Sequence, residues 1–189
     1  MGYANVFRAM GFNPYLPAGK ADGFTIARNI PTTPTTNTGG NASLNIAIGD
    51  AYALDSSGNA YRAGPSDSVR GIVLGFRFLA APTVMGGQGP VSIDFFTSGT
   101  ASATLIGIED PTVMFSVQAD TWAAADNGGS YNLVDAAPDS ILRQSRQTIS
   151  ISNGVGTQFR VIDLVQALAS NSAGANARIY VSLLQAIVG

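Results

Sequence analysis

Acidic, amide and aromatic residues between positions 120 and 131 are the chain's best candidates for ligand chemistry. Asp120, Asp126 and Asn127 carry the oxygen ligands that calcium prefers, and Trp122 lies between them. Trp122, Asp126 and Tyr131 would also suit a sugar, which often binds aromatic rings beside hydrogen-bonding side chains. The spacing does not match the EF-hand loop, and turns favour Asp and Asn without any ligand. We therefore predict no metal site and keep a carbohydrate-binding β-sandwich as an alternative.

Catalytic chemistry has few residues to work with. The chain contains no His and no Cys, and Lys20 and Glu109 are its one Lys and one Glu. Glu109 and Asp110 form an adjacent acidic pair, but neighbours in an extended strand point to opposite faces and cannot easily share a substrate. A serine nucleophile would have no His as its base, and Lys20 lies in a Pro-flanked region. We therefore predict no catalytic residues, no cofactor and no enzyme activity.

The scarcity of charge bears on where the protein works. Charged residues make up 12% of the chain, about half the share in an ordinary soluble domain. Lys and Glu help to keep free surfaces soluble, and both are depleted in the cores of interfaces. The arginines are spread singly, without the basic stripe that nucleic-acid binding needs, and no apolar run reaches the length of a membrane helix. These features favour an assembly component that binds neither nucleic acid nor membrane.

Residues 1–43 read differently from the rest of the chain. Phe7, Phe12, Tyr15 and Leu16 are apolar anchors among Gly and Pro, and a Pro- and Thr-rich run follows them. Pro and Thr hold that run in extended conformations. Two interpretations stay open: a loose terminus, or an extended N-terminal arm whose four apolar anchors contact a neighbouring subunit.

Residues 44–189 show the pattern of a β-rich core domain. Short runs with alternating apolar residues are separated by Gly, Pro, Asn and Asp, which is typical of a sandwich or barrel with little helix. One arrangement that this series allows is a division into two sub-barrels near residue 109. The predicted strands cover residues 44–48, 51–54, 59–63, 69–78, 91–95, 100–108, 113–117, 131–134, 147–151, 159–165 and 178–184.

Two local patterns carry further predictions. Ile72, Leu74, Phe76 and Phe78 recur at period two, so they should share one face of a strand. Residues 161–170 also fit the spacing of a short helix, but their β-branched residues favour a strand.

The strand series resembles the head cement and decoration proteins of tailed bacteriophages. In that family a Gly-Asp pair opens an apolar strand, a turn and an Arg-Ala strand end follow, and further strands come in the same order as here. The resemblance covers most of the chain. The segments that carry it are GDAYAL (49–54), SGNAYRA (57–63), RGIVLGF (70–76), PTVMFSVQAD (111–120), FRVIDL (159–164) and NSAGANARIYV (171–181).

The resemblance implies a role in a virus particle. Such proteins are β-rich and often trimeric, and they sit on the outside of the capsid, where they bridge major capsid subunits and stabilise the head. On this basis we expect the major capsid protein and a homotrimer of this chain as partners. The expected location is the capsid exterior of the virion, after synthesis in the host cytoplasm. Another virion component, of the tail or a fibre, is the second hypothesis.

Overall fold

The computed structural model describes residues 11–15, 25–37, 44–78, 92–93, 95–99, 102–166 and 171–184. Within them the regular secondary structure is almost entirely β-strand, and one short 3₁₀ helix spans Ala124–Asp126. The strands are β1 (Asn13–Tyr15), β2 (Thr25–Ile30), β3 (Ile46–Ala47), β4 (Ala51–Leu54), β5 (Ala60–Arg62), β6 (Gly71–Phe78), β7 (Ser92–Ile93), β8 (Phe95–Phe96), β9 (Ala103–Ile108), β10 (Met114–Gln118), β11 (Ser130–Val134), β12 (Thr148–Ser150), β13 (Phe159–Leu164) and β14 (Arg178–Leu183).

Two antiparallel sheets pack as a sandwich, which confirms the predicted all-β fold of short strands. Sheet I has the strand order β1-β10-β14-β13-β11-β12, and sheet II has the order β2-β9-β6-β4-β5, with β7 also paired to β6. Strands β3 and β8 form a separate pair. The strand interpretation of β13 is confirmed for its described residues, and residues 167–170 lie outside them.

The chain passes from sheet II to sheet I just after Glu109, close to the predicted division. The described strands form open sheets and no closed barrel, so the parts of the chain before and after Glu109 are not two sub-barrels. The core between the sheets explains why, because Ile72 and Ile108 of sheet II pack in the same buried cluster as Phe115 and Phe159 of sheet I. Strand β1 and the strands after Glu109 supply one layer of that core, and sheet II supplies the other.

The inner strands of sheet II are buried on both faces. The second face of the sheet carries Val73 and Leu105, which pack in another buried cluster with Ile46 of β3 and Phe96 of β8. A sheet covered on both sides needs apolar residues at successive positions and not only at alternate ones. This requirement accounts for the almost continuous apolar sequence of β6.

The prediction that one face of β6 carries every second residue is wrong. The register of β6 on β9 shifts within residues 73–75, the signature of a β-bulge. Ile72 and Leu74 face the core between the sheets, whereas Phe76 lies in the second core. A bulge adds one residue to one strand and so moves the following side chains to the opposite face. The side chain of Phe78 lies outside the described residues.

Two stretches of the predicted N-terminal arm are strands of the chain's own sheets. Strand β1 pairs with β10 at one edge of sheet I, and β2 pairs with β9 along six residues at one edge of sheet II. Between them, residues 16–24 lie outside the described part of the chain. The predicted boundary after residue 43 therefore does not separate the strands that belong to the sandwich from those that do not.

Candidate functional site

The four predicted interaction residues differ in their burial and contacts. Phe12 is buried, and its ring stacks on Phe159 of the same chain with 4.5 Å between centroids. The expectation that Phe12 contacts a neighbour is therefore corrected: its ring completes the chain's own core. Tyr15 is partly exposed and packs against Tyr180 at 4.7 Å. Phe7 and Leu16 lie outside the described residues.

The approach of the chain to Phe12 depends on Gly11. This residue has φ +64°, and a Cβ added to it would lie 2.4 Å from the carbonyl oxygen of Gly49 and from Ser145. Only Gly combines that backbone angle with so close a contact. The Phe12 N–H then donates to the Gly49 carbonyl at 2.8 Å, which fixes the entry of β1 into the sandwich.

The structure does not expose the Trp122 ring, as the alternative of a sugar site would require. Trp122 is buried in the core between the sheets, and its indole N–H donates to Asn127 Oδ1 at 3.2 Å. The Tyr131 hydroxyl donates to Asp126 at 3.2 Å, and Asp126 also accepts the Ala123 N–H at 2.7 Å. These residues thus satisfy one another around the 3₁₀ helix, as turn residues do.

Asp120 also forms its hydrogen bonds within its own chain. Its carboxylate accepts the N–H groups of Thr121 at 2.7 Å and Ile151 at 2.9 Å, and the Ser150 and Ser152 hydroxyls. Burial alone would raise the pKa of Asp120, but the Ser152 hydroxyl and these N–H groups outweigh it and lower the pKa. Asp120 therefore fastens the segment after β12. The described residues contain no group of three His, Cys, Asp or Glu side chains placed to hold a metal ion.

The chain's one Glu lies at the centre of a buried group that the sequence did not reveal. Glu109 Oε1 accepts Arg28 Nε at 2.6 Å and the Tyr52 hydroxyl at 2.9 Å, while Oε2 accepts Arg28 Nη2 at 2.7 Å and Arg70 Nε at 3.0 Å. We call these four residues the Glu109 cluster. Its carboxylate side chain is 4% exposed. The cluster joins four strands of sheet II, because its members lie in or beside β2, β4, β6 and β9.

Burial would raise the pKa of Glu109, but hydrogen bonds from Arg28 and Tyr52 and the charges of both arginines lower it below its usual value. Burial and the Glu109 charge raise the pKa of the Tyr52 hydroxyl, so this hydroxyl stays protonated and donates. The arrangement holds one permanent carboxylate between two permanent cations. Such a carboxylate is a poor general base, because its lone pairs are already occupied.

Two glycines make room for the Tyr52 ring in this cluster. A Cβ on Gly107 would lie 2.6 Å from Tyr52 Cε1, and one on Gly71 would lie 2.8 Å from the Tyr52 hydroxyl and 2.5 Å from the Ile108 carbonyl. These glycines are on β6 and β9, so the ring lies across the two neighbouring strands. The space beside these glycines lets the Tyr52 hydroxyl reach Glu109.

A second buried group joins the two sheets. Arg62 of β5 donates to Asp135 Oδ2 at 2.9 Å, and their side chains are 1% and 0% exposed. Asn37 Nδ2 donates to the same oxygen at 2.7 Å, and Gln147 Nε2 donates to Asp135 Oδ1 at 3.2 Å. With Asp50 these residues form the Asp135 cluster.

Asp50 is the unusual member of the Asp135 cluster. It is completely buried, its Oδ2 accepts the Ala47 N–H at 2.8 Å, and its Oδ1 has no hydrogen-bond partner among the described residues. Burial raises the pKa of Asp50 to about 7, and Asp135 adds to that rise. The nearby Ser145 hydroxyl, the Ala47 N–H and the Arg62 charge act in the opposite direction but do not cancel it.

Several exposed apolar residues are a further feature that was not predicted from the sequence. Ile141 is 89% exposed and Leu142 is 65% exposed, in the turn between β11 and β12, and Val155 is 91% exposed in the next turn. A usable signal was present, since an Ile-Leu pair stands within an otherwise polar run between Pro138 and Ser145. Turns favour small and polar residues, so an aliphatic pair there is unusual.

Comparison with known proteins adds no identification. Neither protein-family models, nor curated proteins, nor solved structures match the chain. Among the described residues, no helix is long and apolar enough to cross a membrane.

Proposed function

We propose that this protein is a non-enzymatic cement protein of a tailed-phage capsid. It binds the outer surface of the head between major capsid subunits, as a homotrimer, and stabilises the shell. The observation that carries the proposal is the exposed aliphatic pair Ile141 and Leu142 on a turn, in a chain that buries five of its few charged side chains. The buried charged side chains are Asp50, Arg62, Asp67, Glu109 and Asp135.

This pattern favours a protein that works in contact with other proteins. The chain is already poor in charge, and burial of several charged side chains leaves fewer at the surface. Desolvating such a surface costs little, and it has few long flexible side chains to immobilise. Many copies on one shell reinforce it even when each contact is modest, because the contacts act together.

The state of the carboxylates supports binding over catalysis. Glu109 and Asp135 are held by arginines, and Asp120 is held by N–H and hydroxyl groups of its own chain. The chain has no His or Cys to provide a base or a nucleophile. These residues therefore stabilise the fold.

Cryo-electron microscopy of the phage that encodes this chain tests the proposal. Maps of the wild-type particle and of a particle lacking the gene should differ by three-fold density on the outside of the head, between capsomers. Difference density in the tail or a fibre would favour the second hypothesis, and no difference anywhere would overturn the virion role.

The trimer has a separate test in solution. Light scattering of the purified chain should give about three times the 19.4 kDa mass of the monomer. A monomer at high concentration would remove the preformed trimer from the proposal and leave capsid binding to the particle maps.

A further inference from the structure

The turn that carries Ile141 and Leu142 is held in one conformation. The Asp139 N–H donates to the Gln144 carbonyl at 2.8 Å, and the Gln144 N–H donates to the Asp139 carbonyl at 3.3 Å. Inside this closed loop, Asp139 Oδ1 accepts the N–H groups of Ile141 and Leu142 at 2.9 Å each. Arg143 completes the turn with φ +54°. The turn therefore presents its two aliphatic side chains at little entropic cost on binding.

The base of the turn is anchored in the sandwich. Gln144 forms a parallel bridge with Ile48, and Ser145 is completely buried beside Gly11. The residues from Ser140 to Gln144 are all exposed. An apolar pair on a rigid, anchored projection has the geometry of a plug for a cavity in another molecule.

The charges around the pair indicate what kind of cavity. Arg143 and Arg146 are exposed on either side of Gln144 and Ser145. Asp139 is the acidic residue of this turn, but two N–H groups already occupy its carboxylate, and its pKa is lowered by them and by the Arg146 charge. The projection is therefore apolar at its tip and positive at its side, and a complementary surface is an apolar socket bordered by carboxylates.

We propose that residues 139–146 form a docking plug, in which Ile141 and Leu142 enter an apolar socket of a different protein and Arg143 and Arg146 face carboxylates at its rim. This inference rests on the proposed function, under which the socket belongs to the outer surface of the capsid. Under that function the occupant is a different protein, and the test distinguishes it from a second copy of this chain.

The test adds purified protein back to heads assembled without it. The variants are wild type, Ile141→Ser/Leu142→Ser, and Val155→Ser as the matched control, since Val155 is equally exposed on another turn. All three should have the same circular dichroism and thermal melt, because the substituted side chains are largely exposed. Sedimentation of the heads followed by gel densitometry measures occupancy. The double variant should bind about 100-fold more weakly, the loss expected from two aliphatic side chains, while the control binds as wild type.

Arg143→Asn tests the charged rim without disturbing the turn, because Asn tolerates positive φ. It should bind with a lower association rate, and its binding should depend less on salt than that of wild type. An unchanged salt dependence would remove the carboxylate rim from the proposal.

The remaining outcomes are each decisive. If all variants bind heads equally, the plug is overturned and the proposed function stands. If wild type itself does not bind, the proposed function fails and the plug fails with it. If the double variant changes the mass of the free protein by light scattering, the socket belongs to a second copy, which overturns the assignment to a different protein.

Discussion

Both buried charge clusters pair carboxylates with arginine, but they differ in their exposure to water and in their balance of acidic and basic side chains. In the Glu109 cluster one carboxylate has two arginines, and the Arg28 and Arg70 side chains are 27% and 42% exposed. In the Asp135 cluster one fully buried arginine serves the carboxylates of Asp135 and Asp50. The first cluster lies within sheet II, whereas Arg62 and Asp135 come from different sheets. The comparison shows that complete burial, with a second acid nearby, raises the pKa of Asp50, while two arginines and a tyrosine hold the pKa of Glu109 low.

The largest effect should come from breaking the link between the sheets. Arg62→Met leaves Asp135 buried without its cation and hydrogen-bonded to neutral amide donors, so we expect a loss of about 5 kcal/mol in the free energy of unfolding. Urea denaturation at neutral pH measures it. Arg28→Met is the control and should cost about 1 kcal/mol, because its side chain is partly solvated and Arg70 remains.

If Arg62→Met does not fold, adding Asp135→Asn should restore folding, since the pair then loses both charges together. Equal losses for Arg62→Met and Arg28→Met would contradict the distinction between the two clusters.

Asp50 should give the protein an unusual dependence of stability on pH. Its pKa in the folded state is about 7, above the ordinary value of 3.8. The protonated form is therefore favoured by folding, and this contribution is complete below the ordinary value and is lost as the pH rises from there to about 7. At about 1.4 kcal/mol per pKa unit, the loss is roughly 4 kcal/mol. Asp50→Asn, which mimics the protonated form, should abolish this decline in urea denaturation curves measured at several pH values. If the decline in stability with pH persists in Asp50→Asn, it arises from another titratable group.

Glu109 should show the opposite sign. Its pKa is lowered in the folded state from 4.5, so its stabilisation is present above that value and is lost as the pH falls below it. Glu109→Gln should cost about 2 kcal/mol at neutral pH, because two arginines lose their charged partner. The gap between wild type and variant should close in acid, as unfolding midpoints at pH ~7 and pH ~3 would show. A gap that stays constant with pH would mean that Glu109 acts through packing and not through charge.

Most of the strands could be predicted because their apolar periodicity and turn residues are local properties of the sequence. Strands β4, β5 and β14 begin and end within about two residues of their predicted bounds. Strands β1 and β2 were not predicted, since they are edge strands whose pairing partners lie far along the chain. The reversal within β6 was not predictable either, because a bulge is defined by the register with another strand.

The candidate sites show the same limit more sharply. The sequence identified Glu109 as the chain's one Glu, but nothing in the neighbouring residues indicated Arg28, Tyr52 and Arg70 as its partners. The sequence also suggested Phe12 and Trp122 as contact residues because both are aromatic. Aromatic character alone does not separate a core residue from a binding residue, and both rings are buried in the chain's own core.

The stacking of Phe12 on Phe159 has a consequence for synthesis. Strand β1 belongs to a sheet whose other strands all come from residues after 113, so it has no partner when it leaves the ribosome. Strand β1 must wait until β10 and Phe159 have been made, so its closure onto the sandwich depends on contacts distant in sequence, which fold slowly. Until then the β10 edge and the ring face of Phe159 that Phe12 covers can contact other nascent chains. High-level expression should therefore be limited by aggregation at this edge before it is limited by the stability of the folded protein.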